Sequence, residues 1–270
     1  LHLLYSRFWH KVLFDLGYVT TKEPFRKLVN QGMILGEDSQ KMSKSRGNVV
    51  NPDSVVAEYG AAALRLYEMF MGPLDAVKPW NMKGVEGVYR FLGRVYRLIA
   101  AEDGTCDPAI DDSEPSPETR KAIHATIKKV GEDIEALRLN TAISALMILT
   151  NELTALPRRP RAAAKVLVLL LSPFAPHVCE ELWGILGHST SLAYEPWPSY
   201  NPAMIVVSEV EILFQINGKP VEKIMVPATI DAAGLEKIAR DSSKVAAAVG
   251  ARAIRKIVAV PGRLVNVVVS

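Results

Sequence analysis

From Lys78 to Tyr200 apolar residues recur every third or fourth position through five successive segments, which makes the middle of this chain helical. Val85, Val88, Tyr89, Leu92, Val95, Tyr96 and Ile99 mark one face of the first segment. Ile123, Ile127, Val130, Ile134 and Leu137 mark the second, behind the acidic, proline-rich connector 111–117. A third helix is expected from about Asn140 to Leu156, ahead of Pro157. Pro160 opens a fourth, rich in Ala, Val and Leu, and Pro176 opens a fifth that runs to Leu186-Gly187. Helices joined by short links pack antiparallel, so the unit expected over 78–200 is an up-and-down bundle.

The flanks read differently. Over 1–77, Leu1, Leu4, Tyr5, Phe8 and Val12 lie at helical spacing, and residues 28–35 read as a strand. Residues 36–48 form a charged, glycine-flanked loop, Asn51-Pro52-Asp53 starts a helix that Tyr59-Gly60 stops, and a further helix covers 61–70. The opening helix has no cap residue and begins at Leu1 rather than Met, so the expectation is a chain cut from something longer. After the prolines at 196, 198 and 202, residues 209–216 alternate apolar and polar, and Asn217-Gly218 is a two-residue hairpin signal leading into 221–226. A helix over 231–249 and strands over 254–260 and 264–269 complete a small α+β region, strand-strand-helix-strand-strand, over 201–270.

With 49% hydrophobic and 23% charged residues the chain is neither disordered nor fibrous. Its longest apolar run, 166–171, is too short for a bilayer and is closed by Pro173, so no membrane role is expected. A net charge of +3 excludes a global polycation, yet the excess is uneven. It is +1 over 1–77, −1 over 78–200 and +3 over 201–270, which makes the last region the first candidate for a phosphate backbone. Cys106 and Cys179 have no metal or disulfide spacing and fit a reducing compartment.

One motif carries chemistry. Lys41-Met42-Ser43-Lys44-Ser45 sets two ammonium groups three positions apart among hydroxyl residues, in a loop between a strand and a helix. Lysines are compact charges suited to phosphates, and such a loop can close over a triphosphate and stabilise a leaving pyrophosphate. Each well-placed donor of that kind is worth roughly 3–4 kcal/mol in a transition state.

This run, continued by Arg46-Gly47-Asn48, resembles the KMSKS signature of class I aminoacyl-tRNA synthetases. The surrounding sequence is similar to the bacterial-type leucyl-tRNA synthetase family. The similarity rests on Leu3-Leu4-Tyr5-Ser6-Arg7-Phe8-Trp9-His10-Lys11, Gln31-Gly32-Met33-Ile34-Leu35, Tyr59-Gly60-Ala61 and Arg65-Leu66. It continues through Asn140-Thr141-Ala142-Ile143, Pro176-His177, Glu180-Glu181-Leu182-Trp183, Trp197-Pro198, Gln215-Ile216-Asn217-Gly218-Lys219 and Val260-Pro261-Gly262.

The resemblance implies a multidomain, mainly α fold: the end of a Rossmann-type α/β catalytic domain over 1–77, an anticodon-binding-type helical bundle over 78–200, and a tRNA-contacting α+β domain over 201–270. It implies a leucine–tRNA ligase that consumes ATP, with Mg2+, and leucine, and charges tRNA(Leu). The expected enzyme is a cytoplasmic monomer, and this piece of it is expected to be inactive alone. Lys44 would contact ATP, Lys41 would support the same triphosphate, and Ser43 and Ser45 would shape the loop. No metal is expected on this chain.

Some features depart from the family. No HIGH-type turn, editing insertion or zinc-ligand set is present, and only 36–40 separate the strand from the lysine loop. Ala62 replaces the usual aspartate, an expected loss of a helix N-cap worth about 0.5–2 kcal/mol. Arg90, Arg94 and Arg97 make a basic stripe that suits tRNA phosphates or a solvated helix face. Lys219, Arg252, Arg255 and Lys256 are the RNA-contact candidates of the last region. Trp183 and Trp197 are expected as core anchors, and His177 as a structural residue at a helix start. Two alternatives stay open: a synthetase for isoleucine, valine or methionine, and an RNA-binding module without chemistry.

Overall fold

The computed structural model describes residues 1–205 and 209–270. Residues 206–208, at the head of the expected third region, lie outside the described residues. The chain divides into two compact units, Leu1–Tyr200 and Asn201–Ser270. It is mainly helical, with ten α-helices and small sheets among the described residues.

The first unit opens with α1, His2–Asp15, none of whose residues is buried. Arg7 clamps the carboxylate of Glu23 through two 2.8 Å hydrogen bonds, which ties the following segment back to α1. That pairing, with Lys11 adding to it, lowers the Glu23 pKa to about 2. Within the run 28–35, strand pairing is confined to β1, Ile34–Leu35, which runs parallel to β2, Lys78–Pro79. The sequence reading of a strand over 28–35 is therefore too long. A strand exists where its backbone finds a ladder, and only the last two residues of that run do.

Helices α2 (Pro52–Tyr59) and α3 (Ala61–Phe70) fall where the cap signals put them, with the Asn51 side chain accepting from the Asp53 N–H. Gly60 is the cap of α3, so Ala62 lies inside the first turn and replaces no N-cap. Next comes α4, Met82–Ile99. Its entry is fixed by Tyr67, whose hydroxyl accepts from the Asn81 N–H at 2.9 Å and whose ring meets Trp80 edge-on at 4.9 Å.

Helices α5 (Pro117–Glu135), α6 (Leu139–Thr154), α7 (Arg161–Leu171) and α8 (Pro176–Ile185) complete the helical part. A short parallel pair, β3 (Ile110–Asp111) and β4 (Arg159–Pro160), pins the connectors that lead into α5 and α7. One hydrophobic core runs from Val55 to Leu192, through Leu66, Phe91, Val95, Leu146, Leu167 and Phe174, so residues on both sides of position 77 share it.

Three side chains of this unit depart from the periodic reading. Tyr89 is exposed, with its ring edge-on to Tyr59. Leu137 falls beyond the end of α5 in a left-handed conformation, φ +56°, because the chain turns there towards α6. Trp197 is 44% exposed and is no core anchor, whereas Trp183 is 3% exposed and stacks flat on His188 at 3.6 Å. His177 is exposed on the first turn of α8.

In the second unit, β5 (Glu209–Ile216) and β6 (Lys219–Pro227) form an antiparallel hairpin around Asn217-Gly218, both at positive φ as that turn requires. Strands β7 (Ile254–Val260) and β8 (Leu264–Val269) form a second one, and β8 pairs parallel to β5, giving the sheet order β6-β5-β8-β7. Alternate strand residues Ile212, Phe214, Ile216, Val265 and Val267 are buried with Leu235, Ala239, Val245 and Val249 of the helical layer. That layer is two helices, α9 (Ala232–Asp241) and α10 (Ser243–Val249), where the sequence suggested one. Ser242 breaks it: extended, with ψ 119°, it caps α10 by accepting from the Val245 N–H.

Candidate functional site

The lysine run lies in the loop between β1 and α2, and the surrounding residues fold it locally. Gly36, Ser39 and Gln40 make a tight turn, with Gly36 N–H donating to the Gln40 carbonyl at 2.8 Å and Ser39 N–H to the Gly36 carbonyl at 2.9 Å. Ser39 takes φ +58° in that turn. Lys41 then bridges back to Leu35 in antiparallel fashion. Lys44–Arg46 form a single 3-10 turn, closed by Gly47 at φ +68°, a left-handed position that glycine adopts without strain.

The loop joins the rest of the first unit at its base. Trp80 N–H donates to the Leu35 carbonyl at 2.9 Å, and the Glu37 carboxylate accepts from Met82 N–H at 3.3 Å, at the first residue of α4. Met42 and Val50 pack on the main core from either side of the lysine turn. The tip stays polar and open. Lys41, Lys44, Ser45 and Arg46 are exposed, and Ser43 and Ser45 share a 2.8 Å hydroxyl hydrogen bond. Arg46 reaches Gln40 at 3.4 Å. Neither Lys41 nor Lys44 enters an ion pair among the described residues. Two solvated ammonium groups on a tethered turn are free to meet an anion of high charge density.

Two residues of this loop carry more of its geometry than their place in the motif suggested. Asn48 accepts the Ser43 N–H at 2.9 Å and donates to both oxygens of Asp38 at 3.1 Å. The Gln40 N–H and the Asn48 amide hold the Asp38 carboxyl below the usual aspartate range. A polar residue just past a glycine stop is the only sign of this that the sequence offers.

The other candidate residues lie elsewhere. Arg90, Arg94 and Arg97 share the exposed side of α4, and Arg94 also donates to the Asn151 side chain at 2.7 Å. In the second unit Lys219 opens β6, while Arg255 and Lys256 are exposed on β7. These two strands are opposite edges of the sheet, separated by about 14 Å. The structure thus keeps Lys219 apart from the other cations. Arg252 donates to the Val249 and Ala248 carbonyls, so its guanidinium closes the C-terminal end of α10. No group of three or more His, Cys, Asp and Glu that could hold a metal occurs among the described residues. Among them, too, no helix is long and apolar enough to cross a membrane.

Comparison with known proteins adds the family. The sequence profile of "tRNA synthetases class I (I, L, M and V)" matches residues 5–78, which contain the lysine loop. That of "Anticodon-binding domain of tRNA ligase" matches residues 118–234. A leucine–tRNA ligase of Leptospira biflexa serovar Patoc is 50% identical over all 270 residues. The chain spans about a third (31%) of the length of that relative. A crystal structure titled as the ternary complex of Agrobacterium radiobacter K84 agnB2 LeuRS with tRNA and LeuAMS superposes with a TM-score of 0.74 at 36% identity. It covers the whole of this chain, which in turn covers 37% of that one. With half of its residues shared along its entire length, and with both halves of the profile pair in their expected order, the chain belongs to the leucine–tRNA ligase family of class I tRNA synthetases.

Proposed function

We propose that this chain is the part of a leucine–tRNA ligase that supplies the lysine loop and the tRNA-binding surfaces. The observation that carries the reading is the exposed, unpaired pair Lys41 and Lys44 on a tethered turn, within a sequence 50% identical to a leucine–tRNA ligase throughout. ATP and leucine are the substrates that react, giving leucyl-adenylate and pyrophosphate, and tRNA(Leu) then receives leucine. Lys44 contacts the triphosphate and offsets charge as the bond to pyrophosphate breaks, and Lys41 supports the same phosphates from the entry limb. Ser43 and Ser45 keep the turn in shape through their shared hydrogen bond. Mg2+ would arrive on the triphosphate as part of the substrate.

Residues 1–77 act as the end of the Rossmann-type catalytic domain, 78–200 as the anticodon-binding-type bundle, and 201–270 as the tRNA-contacting domain. On α4, Arg90, Arg94 and Arg97 meet tRNA phosphates; Lys219, Arg255 and Lys256 do so from the two edges of the terminal sheet. Arg252 contributes through the helix end it closes. The enzyme acts in the cytoplasm as a monomer.

The test compares two reactions of the complete ligase with and without residues 201–270. Charging of tRNA(Leu) should fall far more than leucine-dependent ATP–pyrophosphate exchange, and equal losses would remove the tRNA role from that unit. The 270-residue chain alone should catalyse no exchange, because the lysine turn needs adenosine and leucine positioned against it. Running the exchange with isoleucine, valine and methionine beside leucine tests the amino acid.

A further inference from the structure

The lysine loop is tied across its base by one side chain. Asn48 follows the 3-10 turn, yet its amide faces the entry limb. It accepts from the Ser43 N–H at 2.9 Å, donates to both Asp38 oxygens at 3.1 Å, and lies 3.4 Å from the Lys41 carbonyl. Asp38 is held in turn by the Gln40 N–H at 3.0 Å. The backbone beneath is packed to its limit. A methyl group on Gly36, which is buried, would lie 2.7 Å from Asp38 Oδ1 and 2.9 Å from Asn48 Nδ2. Glycine at 36 and the Asp38–Asn48 contact are thus two sides of one arrangement.

We infer that Asp38 and Asn48 are positioning residues: their clasp joins the two limbs of the loop and sets the place from which Lys41 and Lys44 reach the triphosphate. This rests on the function proposed above. The physical reason is the leverage of loop order on catalysis. Each residue left free in a closing loop must be fixed when the substrate binds, at a cost in conformational entropy. A misplacement of about 1 Å at a reacting centre can cost about 100-fold in rate. The clasp holds the backbone at Lys41 itself and at Ser43, the residue just before Lys44, while leaving both ammonium groups in solvent.

The experiment uses the complete ligase and four variants: Asn48→Ala, Asp38→Ala, Asn48→Asp and the exchanged pair D38N/N48D. Asn48→Ala and Asp38→Ala should lower kcat for leucine-dependent ATP–pyrophosphate exchange by about 10- to 100-fold. The KM for leucine, and transfer from preformed leucyl-adenylate to tRNA, should stay within about twofold. Asn48→Asp sets two carboxylates face to face and should be the most impaired. In the exchanged pair the donor and acceptor trade places while residue 48 still accepts the Ser43 N–H, so activity should recover about tenfold over Asn48→Asp.

A second readout needs no catalysis. Amide hydrogen exchange at Ser43 should speed up by at least about tenfold in Asn48→Ala, with α2 and α3 unchanged. An Asn48→Ala rate near wild type beside a crippled Lys44→Ala enzyme overturns the clasp alone. An exchanged pair no better than Asn48→Asp overturns it too, whereas an active Lys44→Ala enzyme overturns the function on which the clasp rests.

Discussion

The Asp133 carboxylate accepts a 2.8 Å hydrogen bond from the Arg138 guanidinium across the turn that joins α5 to α6. Asp133 is fully buried and takes further bonds at 2.6 Å from Lys129 and from the Thr141 hydroxyl. Burial by itself raises its pKa, but the bonds from Lys129, Thr141 and Arg138 outweigh it and hold the group below the ordinary aspartate range. The same turn forces Leu137 into its left-handed conformation, so these bonds stabilise a strained connection.

Asp133→Ala should therefore lower the stability of the first unit by about 2–3 kcal/mol, read as a fall in its urea midpoint at pH 7. The pH dependence has a definite sign. A carboxyl with a depressed folded pKa stabilises fully above the unfolded value of about 3.9, and that contribution is lost as pH falls through the folded pKa. The gap between wild type and Asp133→Ala should thus narrow below about pH 4. An unchanged midpoint at pH 7, or a gap that widens in acid, would contradict this account.

The two cysteines should differ in reactivity. Cys179 is fully buried in α8, and burial, with the Glu180 charge beside it, pushes its thiol pKa well up. Cys106 is half-buried, with the Arg161 guanidinium 3.8 Å from its sulfur. Iodoacetamide at pH 8 should modify Cys106 in the native chain and reach Cys179 only on unfolding. Peptide mapping that found both modified at equal rates would show that α8 is not packed as described.

Ser242 should be the weak point of the second unit's helical layer. Besides capping α10, its hydroxyl donates to Glu222 of β6 at 2.7 Å. Losing a serine cap costs about 0.5–2 kcal/mol, so Ser242→Ala should speed amide exchange in α10 by about 2- to 30-fold. Exchange in β5 and β8 should be unaltered, and an unmoved α10 would mean that the break between α9 and α10 is fixed by something else.

What could be read from the sequence followed a simple division. Val85, Val88, Leu92 and Val95 repeat with the helix, so α4 and its buried face were legible, as were the cap at Asn51 and the hairpin at Asn217-Gly218. Where the outcome depended on particular side-chain and strand partners rather than on periodicity, the pattern misled. Leu137 continues the apolar period of α5, but the Asp133–Arg138 contact ends the helix first. Trp197 looks like a core residue by type, and Tyr89 by spacing, yet both lie at the surface. Residues 28–33 have strand-like composition but find no ladder among the described residues. At the site, the lysines were plain because five specified residues carry them. The clasp was not, because an Asp–Asn contact spanning ten positions has no periodic signature. Nor does charge counting reveal that Arg252 is spent on a helix end.

The most direct test of the account is leucine-dependent ATP–pyrophosphate exchange by the complete ligase carrying Lys44→Ala. If the lysine turn stabilises the departing pyrophosphate, kcat should fall by about 100-fold or more while the KM for leucine stays within about threefold. An exchange rate within a few-fold of wild type would show that Lys44 does not touch the reacting phosphates, and the central claim would fall.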